Sequence, residues 1–235
     1  LKDEKSFDLI LVVGGDGSML SAAKSFNNLQ IPFLGINLGK VGFMADLEYG
    51  DVDSALIEVL KGECQIEQRE FLECEYEGIS FSAFNEIVLH TQKSYKLIEF
   101  EVKIDQNFVY NKRADGLIIS TATGSTAYSL SAGGPILTPL LEAFVITSLN
   151  PLSLSARPLI IPSDSKISVE VVENPEDIEC FIILDGNEEI PLKGDSRIFN
   201  AHKSQSQFKL IHPKEHDFFE ACREKLNWSI SQEGK

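Results

Sequence analysis

Residues 113–135 constrain the fold more than any other stretch: Arg113-Ala114-Asp115-Gly116-Leu117-Ile118-Ile119-Ser120-Thr121-Ala122-Thr123-Gly124-Ser125-Thr126-Ala127-Tyr128-Ser129-Leu130-Ser131-Ala132-Gly133-Gly134-Pro135. The apolar run 117–119 reads as a short buried strand. Small and hydroxyl residues then accumulate where a chain leaves a sheet and starts a helix. Such a strand end exposes backbone N–H groups and lets a ligand touch the main chain. A bare TGST would be a simple turn. In the whole run the only bulky polar side chains are Arg113, Asp115 and Tyr128, so neither core packing nor disorder accounts for the composition.

Lys plus Arg number 21 against 36 for Asp plus Glu, a net charge of −15. That balance repels nucleic acid and anionic membranes, so neither is an expected partner. A phosphate-bearing ligand must be held by local geometry: glycine loops, helix N-termini or a metal ion. Cys64, Cys74, Cys180 and Cys222 are scattered without a C-x-x-C pair, which argues against a disulfide framework and against zinc. His212 and His216 stand four apart with Pro213 between them and no third candidate ligand nearby in sequence; they read as surface histidines. No stretch reaches the roughly 20 apolar residues of a membrane span and no signal-peptide pattern opens the sequence. A reducing, cytoplasmic setting is expected.

Along the chain, the apolar run 7–13 ends in Gly14-Gly15-Asp16-Gly17-Ser18 and continues into helical spacing over 19–26, giving strand, glycine turn, helix. Residues 31–36 make a second strand running into 37–43, and 51–61 an amphipathic helix closed by Gly62. Two βα units point to a Rossmann-like, doubly wound parallel sheet. From residue 65 onward short β-rich runs dominate, at 71–76, 79–89, 97–104, 117–120, 167–172 and 180–184, interrupted by one helical stretch from about 126 to 143. Residues 208–211 read as a strand and 217–226 as an amphipathic helix. That helix is expected to return to the first domain, because an open α/β sheet with only two helices leaves a face uncovered. The expected division is an α/β domain over 1–64 and 207–235 and a β-rich domain over 65–206.

Gly14-Gly15-Asp16-Gly17 sits where backbone amides and the helix dipole receive phosphate. Asp16 is out of place in such a turn unless it binds a metal or takes a proton from a hydroxyl. The turn lacks the Lys-Ser/Thr of a Walker loop and does not match the dinucleotide fingerprint. Asn85-Glu86 breaks an apolar strand-like run and could grip the vicinal hydroxyls of a ribose. Asp185-Gly186-Asn187 reads as a hairpin turn. Asp115 could accept hydrogen bonds from an amide or amino group, and Tyr128 could stack on a planar ring.

Together these pieces resemble the NAD kinase family, specifically its bacterial branch. The motifs are GGDG at 14–17, NLGKVGF at 37–43, the Asn-Glu pair at 85–86, DGLIISTATGSTAYSLSAGGPI at 115–136, ARPLIIP at 156–162 and DGN at 185–187. The long central motif sets this family apart from lipid kinases and sugar kinases that share a GGDG turn. The resemblance implies transfer of the γ-phosphate of ATP, with a divalent metal such as Mg2+, to the adenosine 2′-hydroxyl of NAD. It implies Asp16 as general base, with Gly14, Gly15 and Gly17 making room for phosphates. Asn85 and Glu86 match the pair that holds the adenosine ribose, and Phe43 the aromatic wall beside the adenine. Asp115, Thr126, Ala127, Tyr128, Ser129, Leu130 and Ser131 match positions lining the NAD pocket, with Lys96, Arg113, Thr123 and Asn187 as further contacts. It implies a homodimer or homotetramer with shared active sites.

Three residues depart from the family pattern: Ala122 stands where proline is usual, Asn187 replaces glutamine, and Ser18 replaces threonine. None removes a charge the chemistry needs. The family carries roughly one further βα unit ahead of GGDG, so the resemblance leads one to expect an N-terminal segment before Leu1. The reading from another class is a catalytically silent NAD or NADP sensor, which would keep the pocket and lose turnover; retention of Asp16 favours the enzyme.

Overall fold

The computed structural model describes residues 7–26, 31–39, 42–45, 47–91, 96–173, 179–193 and 196–228. Lys40 and Val41 of the NLGKVGF motif therefore lie outside the described residues. The chain forms two compact units, Leu1–Arg69 with Gln207–Lys235, and Glu70–Ser206.

The first unit opens with β1 (Ile10–Val13), α1 (Asp16–Ser25), β2 (Phe33–Asn37), β3 (Leu47–Glu48) and α2 (Val52–Leu60), and reaches β4 (Cys64–Tyr76), on which it ends. β1 and β3 pair with β2 in parallel, with Ile10 opposite Phe33 and Ile36 opposite Leu47. All five residues of β2 are buried, as an apolar run without alternation requires when both faces of a parallel strand are covered. Gly35 is obligatory there: a Cβ would stand 2.7 Å from the Ala45 backbone. Gly62, at φ +79°, ends α2. The core joins Leu34, Ile36, Leu47 and Ala55 to Ile211.

The second unit holds β5 (Ile79–Ala83), β6 (Glu86–Thr91), β7 (Ile98–Ile104), β8 (Asn107–Ala114), β9 (Gly116–Ser120), α3 (Tyr128–Ser131), β10 (Ala143–Leu149), β11 (Leu159–Pro162), β12 (Ile167–Glu173), β13 (Cys180–Leu184), β14 (Glu188–Leu192) and the start of β15 (Ile198–Pro213). An antiparallel six-stranded sheet runs β11-β10-β9-β6-β13-β14. Strands β15, β12, β7 and β8 form the opposing layer, also antiparallel. Between the layers, Phe100, Val102, Val169 and Phe199 share one core with Ile87, Leu117, Phe144 and Ile182. Strand β15 leads back into the first unit, where Leu210 and Ile211 pair in parallel with β2. Helix α4 (Phe218–Leu226) closes that unit, with Asp217 capping it through the Phe219 N–H at 2.9 Å.

Two sequence expectations are corrected here. The run 79–89 is two strands, because β5 ends at Ala83 and β6 starts at Glu86. At the break the N–H groups of Phe84 and Asn85 turn to the Asp185 carboxylate. The helix expected over 126–143 is a 3₁₀ turn at Thr123–Thr126 followed by the single turn of α3. Gly133 at φ +85° and Pro135 stop it, and a Cβ on Gly134 would collide with Ser129.

Candidate functional site

In the first unit the site is built around Asp16. Strand β1 delivers the chain to Gly14, whose N–H donates to the Ile36 carbonyl at 2.9 Å. Gly14 turns at φ +152°, and a Cβ there would overlap Ser18. Asp16 is the first residue of α1, at the positive end of the helix. Its Oδ2 accepts from the Phe43 N–H at 3.0 Å and from Lys225 Nζ at 2.5 Å. Its Oδ1 accepts from the N–H groups of Met44 and Ala45 at 3.0 and 3.3 Å. Gly42 lies against this carboxylate so closely that a Cβ would overlap Oδ1. Burial alone pushes the Asp16 pKa up; the Lys225 bond and the backbone donors outweigh it and hold the carboxyl below its usual range. The Phe43 ring packs on Phe218 of α4, centroids 5.9 Å apart, and carries Lys225 Nζ 4.7 Å from its own centroid.

In the second unit the site is built around Glu86. Asp185, at the tip of the β13–β14 hairpin, accepts from the backbone N–H groups of Phe84, Asn85 and Glu86 at 2.9, 2.7 and 3.2 Å. Thr121 works from the other side. Its N–H donates to the Asn85 carbonyl at 2.9 Å, its hydroxyl donates to the Phe84 carbonyl at 2.8 Å, and it accepts from the Gly124 N–H at 3.0 Å. Gly124 is packed so tightly that a Cβ would overlap the Asn85 carbonyl. The pair 85–86 is thus clamped between a hairpin and the small-residue loop. Glu86 is buried, and its Oε2 has no hydrogen-bond partner among the described residues. Burial and the neighbouring Asp185 charge push its pKa up to about 7, against a backbone bond from Tyr128. A buried carboxylate with one idle oxygen is a ready acceptor for a ligand hydroxyl.

Matches to known proteins cover both units. The ATP-NAD kinase N-terminal domain family model matches residues 2–64, and the ATP-NAD kinase C-terminal domain model residues 84–213. The NAD kinase of Alcanivorax borkumensis is 44% identical over 230 residues, which is 94% of this chain and 75% of that protein. The chain belongs to the NAD kinase family. The NAD kinase of Shewanella woodyi is 46% identical over 228 residues, covering 94% of this chain and 77% of its own. Among solved structures, yeast NADH kinase complexed with NADH superposes with a TM-score of 0.84 at 32% identity, covering 97% of this chain and 69% of that one. An NAD kinase from Archaeoglobus fulgidus in complex with ATP gives 0.79 at 26% identity, covering 96% and 84%.

Most of the residues that resemblance to the NAD kinase family points to fall into two groups. Gly14, Gly15, Asp16, Gly17 and Phe43 lie together in the first unit. Asn85, Glu86 and the loop 123–131 lie together in the second. In that loop Ala127 and Leu130 N–H groups make turn bonds, Thr126 bonds the Thr123 carbonyl, Tyr128 is exposed, and buried Ser129 Oγ has no partner among the described residues. Ser131 ends α3, exposed. Asp115 does not join them. Strand β9 runs from Gly116, opposite His90, to Ser120, opposite Glu86, so Asp115 lies roughly 16 Å of strand away from the Glu86 end. There Asp115 is buried and accepts from Asn150 Nδ2 at 2.8 Å. Arg113 is exposed on β8, Lys96 is half-buried ahead of β7, and Asn187 is exposed in the hairpin turn.

The structure adds residues that sequence patterns pass over. Asp185, singled out only as part of a turn, and Thr121 hold the Asn85-Glu86 backbone, and Lys225 reaches Asp16 from 209 residues away. Asp185 carried a local signal only as a turn residue, an acid directly before glycine; its bonds to residues 84–86 were not legible. Lys225 carried none.

The histidine expectation is also corrected. His212 is fully buried on β15, stacked on His216 with centroids 3.8 Å apart and planes at 14°. A third candidate ligand exists, Glu67 on β4, and the three donor atoms lie within 4.8 Å of one another. The stack still disfavours a metal. An ion about 2.0–2.1 Å from two imidazole nitrogens must lie near both ring planes, and parallel rings offer no such point. Glu67 instead accepts from Arg69 at 2.5 Å and faces His212 at 3.3 Å. These partners outweigh its burial and bring its pKa down to about 2. A cavity of about 470 Å³ opens beside His216, lined by Glu48, Asp51, Glu58, Glu215, Glu220 and Glu224 among others. So acidic a wall repels phosphate, which separates it from the nucleotide chemistry.

Proposed function

We propose that this chain transfers the terminal phosphoryl group of ATP to the adenosine 2′-hydroxyl of NAD, forming NADP, with Asp16 as general base. The 2′-oxygen forms the new O–P bond as the bond between the terminal phosphorus and its bridging oxygen breaks, and the hydroxyl proton passes to Asp16. The observation that carries this reading is a carboxylate fixed at the start of α1 by three consecutive backbone N–H groups in a chain of the NAD kinase family. Asn85 and Glu86 hold the adenosine ribose, Phe43 flanks the base, and the glycines at 14, 15 and 17 admit phosphates. The loop 123–131 with Asp115, Arg113, Lys96 and Asn187 supplies the remaining NAD contacts.

On this reading Asp16 serves as base and not as the ligand of a resident metal, its two oxygens meeting three backbone donors and Lys225. A divalent ion, Mg2+ on this reading, arrives on the phosphates as part of the nucleotide substrate. The distance along β9 between Asp115 and Glu86 supports a homodimer or homotetramer in which neighbouring copies complete each other's pockets. No helix among the described residues is long and apolar enough to cross a membrane; we place the enzyme in the cytoplasm. The test is NADP formation from NAD, ATP and magnesium by the full chain. Tight NAD binding without turnover would leave a sensor in its place.

Recognition of the ribose gives a sharper expectation. Glu86→Gln should weaken NAD binding by about 1.5–3 kcal/mol, one charge-assisted hydrogen bond. It should weaken NADP binding less, because a 2′-phosphate sets a dianion against the Glu86 carboxylate. Calorimetric titrations of both proteins with both ligands check this above pH 8, where Glu86 is ionised. Equal losses for the two ligands would remove Glu86 from the ribose site.

A further inference from the structure

We propose that Lys225 is a positioning residue for the transfer: its ammonium fixes the Asp16 carboxylate and is the donor that yields an oxygen to the acceptor hydroxyl. This rests on the reading of Asp16 as base. A carboxylate offers about four acceptor sites, and four donors take them, three from Phe43, Met44 and Ala45 and one from Lys225. A hydroxyl that is to hand over its proton needs one of those lone pairs, so one donor must withdraw.

The backbone donors cannot withdraw singly. They belong to consecutive residues of a loop tied down by Gly42 N–H and Asn37 Nδ2, both bonded to the Ala45 carbonyl at 2.8 and 3.1 Å. The same loop packs on Gly35 and Gly42 too closely for any side chain there. Lys225 can withdraw. Its four-carbon stem rotates, and the Phe43 ring, 4.7 Å from Nζ, offers the charge a second resting place over its face. The backbone of Lys225 stays fixed meanwhile, in the last turn of α4, where a cation suits the helix dipole. Arg223, in the same turn, is committed to Asp217 at 3.4 Å. Among the described residues Lys225 is the one charged side chain in contact with Asp16. In the transfer the hydroxyl proton goes to Asp16 Oδ2, and Lys225 keeps its protons, remaining beside the site as negative charge moves from the attacking to the leaving oxygen.

The experiment pairs steady-state kinetics with a ¹³C-carboxyl NMR titration of Asp16, on the full chain and on Lys225→Met and Lys225→Arg. Lys225→Met is expected to raise the Asp16 midpoint by about 1–3 pH units, the effect of one adjacent opposite charge. It should lower kcat by up to about 10²-fold, with KM for NAD held within about threefold. Lys225→Arg should restore the midpoint and recover most of kcat. An unmoved midpoint in Lys225→Met, or a loss confined to KM and thermal stability that arginine does not rescue, overturns the positioning role. Near-normal kcat in Asp16→Asn would instead remove the base itself, an outcome read independently of Lys225.

Discussion

Asp16→Asn is expected to lower kcat for NADP formation by about 10²–10⁴-fold, the usual contribution of a positioned base. From sequence alone the substitution looks nearly isosteric, with NAD binding left intact. The structure changes that second half. Both oxygens of Asp16 accept from donors, two on each, whereas an asparagine presents one oxygen and an NH₂ group. One of the two positions must then set a donor against donors. The Phe43–Ala45 backbone loses bonds worth about 1–3 kcal/mol each where buried, and Phe43 shifts with them. The expected result is a collapse of kcat together with a lower melting temperature and a measurable rise in KM for NAD. A variant that keeps more than about a tenth of wild-type kcat would show that another group takes the proton, because even the weakest positioned base contributes about 10²-fold.

The parts of this fold that sequence makes legible are those fixed by neighbours along the chain. The apolar run into glycines at 10–17 is β1, turn and α1, and the 217–226 periodicity is α4 with its Asp217 cap. Both follow from patterns within one or two turns. What escaped reading is set by partners far apart. Asn85-Glu86 looks like an interruption inside one strand, and it is the joint between two strands in different sheets, bent by the Asp185 carboxylate some 100 residues on. His212 looks exposed because Pro213 separates it from His216 and no third ligand stands nearby in sequence, yet β15 buries it beside Glu67. Residues 126–143 are rich in helix-compatible small residues, but Gly133, Gly134 and Pro135 cut the helix after one turn. For the candidate site, the residue types were legible and their grouping was not: Asp115 shares a motif with Thr121 and Gly124, and sits at the opposite end of β9 from them.

The largest effect expected in the second unit comes from Asp185. Its carboxylate accepts from three consecutive backbone N–H groups, and it sits close enough to Glu86 to raise that pKa. Burial and this like charge lift Glu86 from 4.5 to about 7. Between those values the folded chain holds a proton that the unfolded chain has released. The sign is therefore fixed: this contribution to stability is fully present below pH 4.5 and is lost as pH rises through 7, with a span on the order of 3 kcal/mol. In Asp185→Asn two things change at once. The amide can accept only on its one oxygen, so absolute stability falls by about 1–3 kcal/mol for each N–H left unsatisfied. The like charge also disappears, so the Glu86 pKa drops and the decline with pH becomes shallower and ends at lower pH. Urea midpoints of wild type, Asp185→Asn and Glu86→Gln, measured from pH 4 to 8, separate the two effects. Glu86→Gln should abolish the decline without the loss at low pH, and Asp185→Asn should show both the loss and a reduced slope. A wild-type curve that is flat across this range, or an Asp185→Asn curve as steep as wild type, would mean that the Asp185 charge does not reach Glu86 and that the hairpin holds the 84–86 backbone without setting the protonation of Glu86.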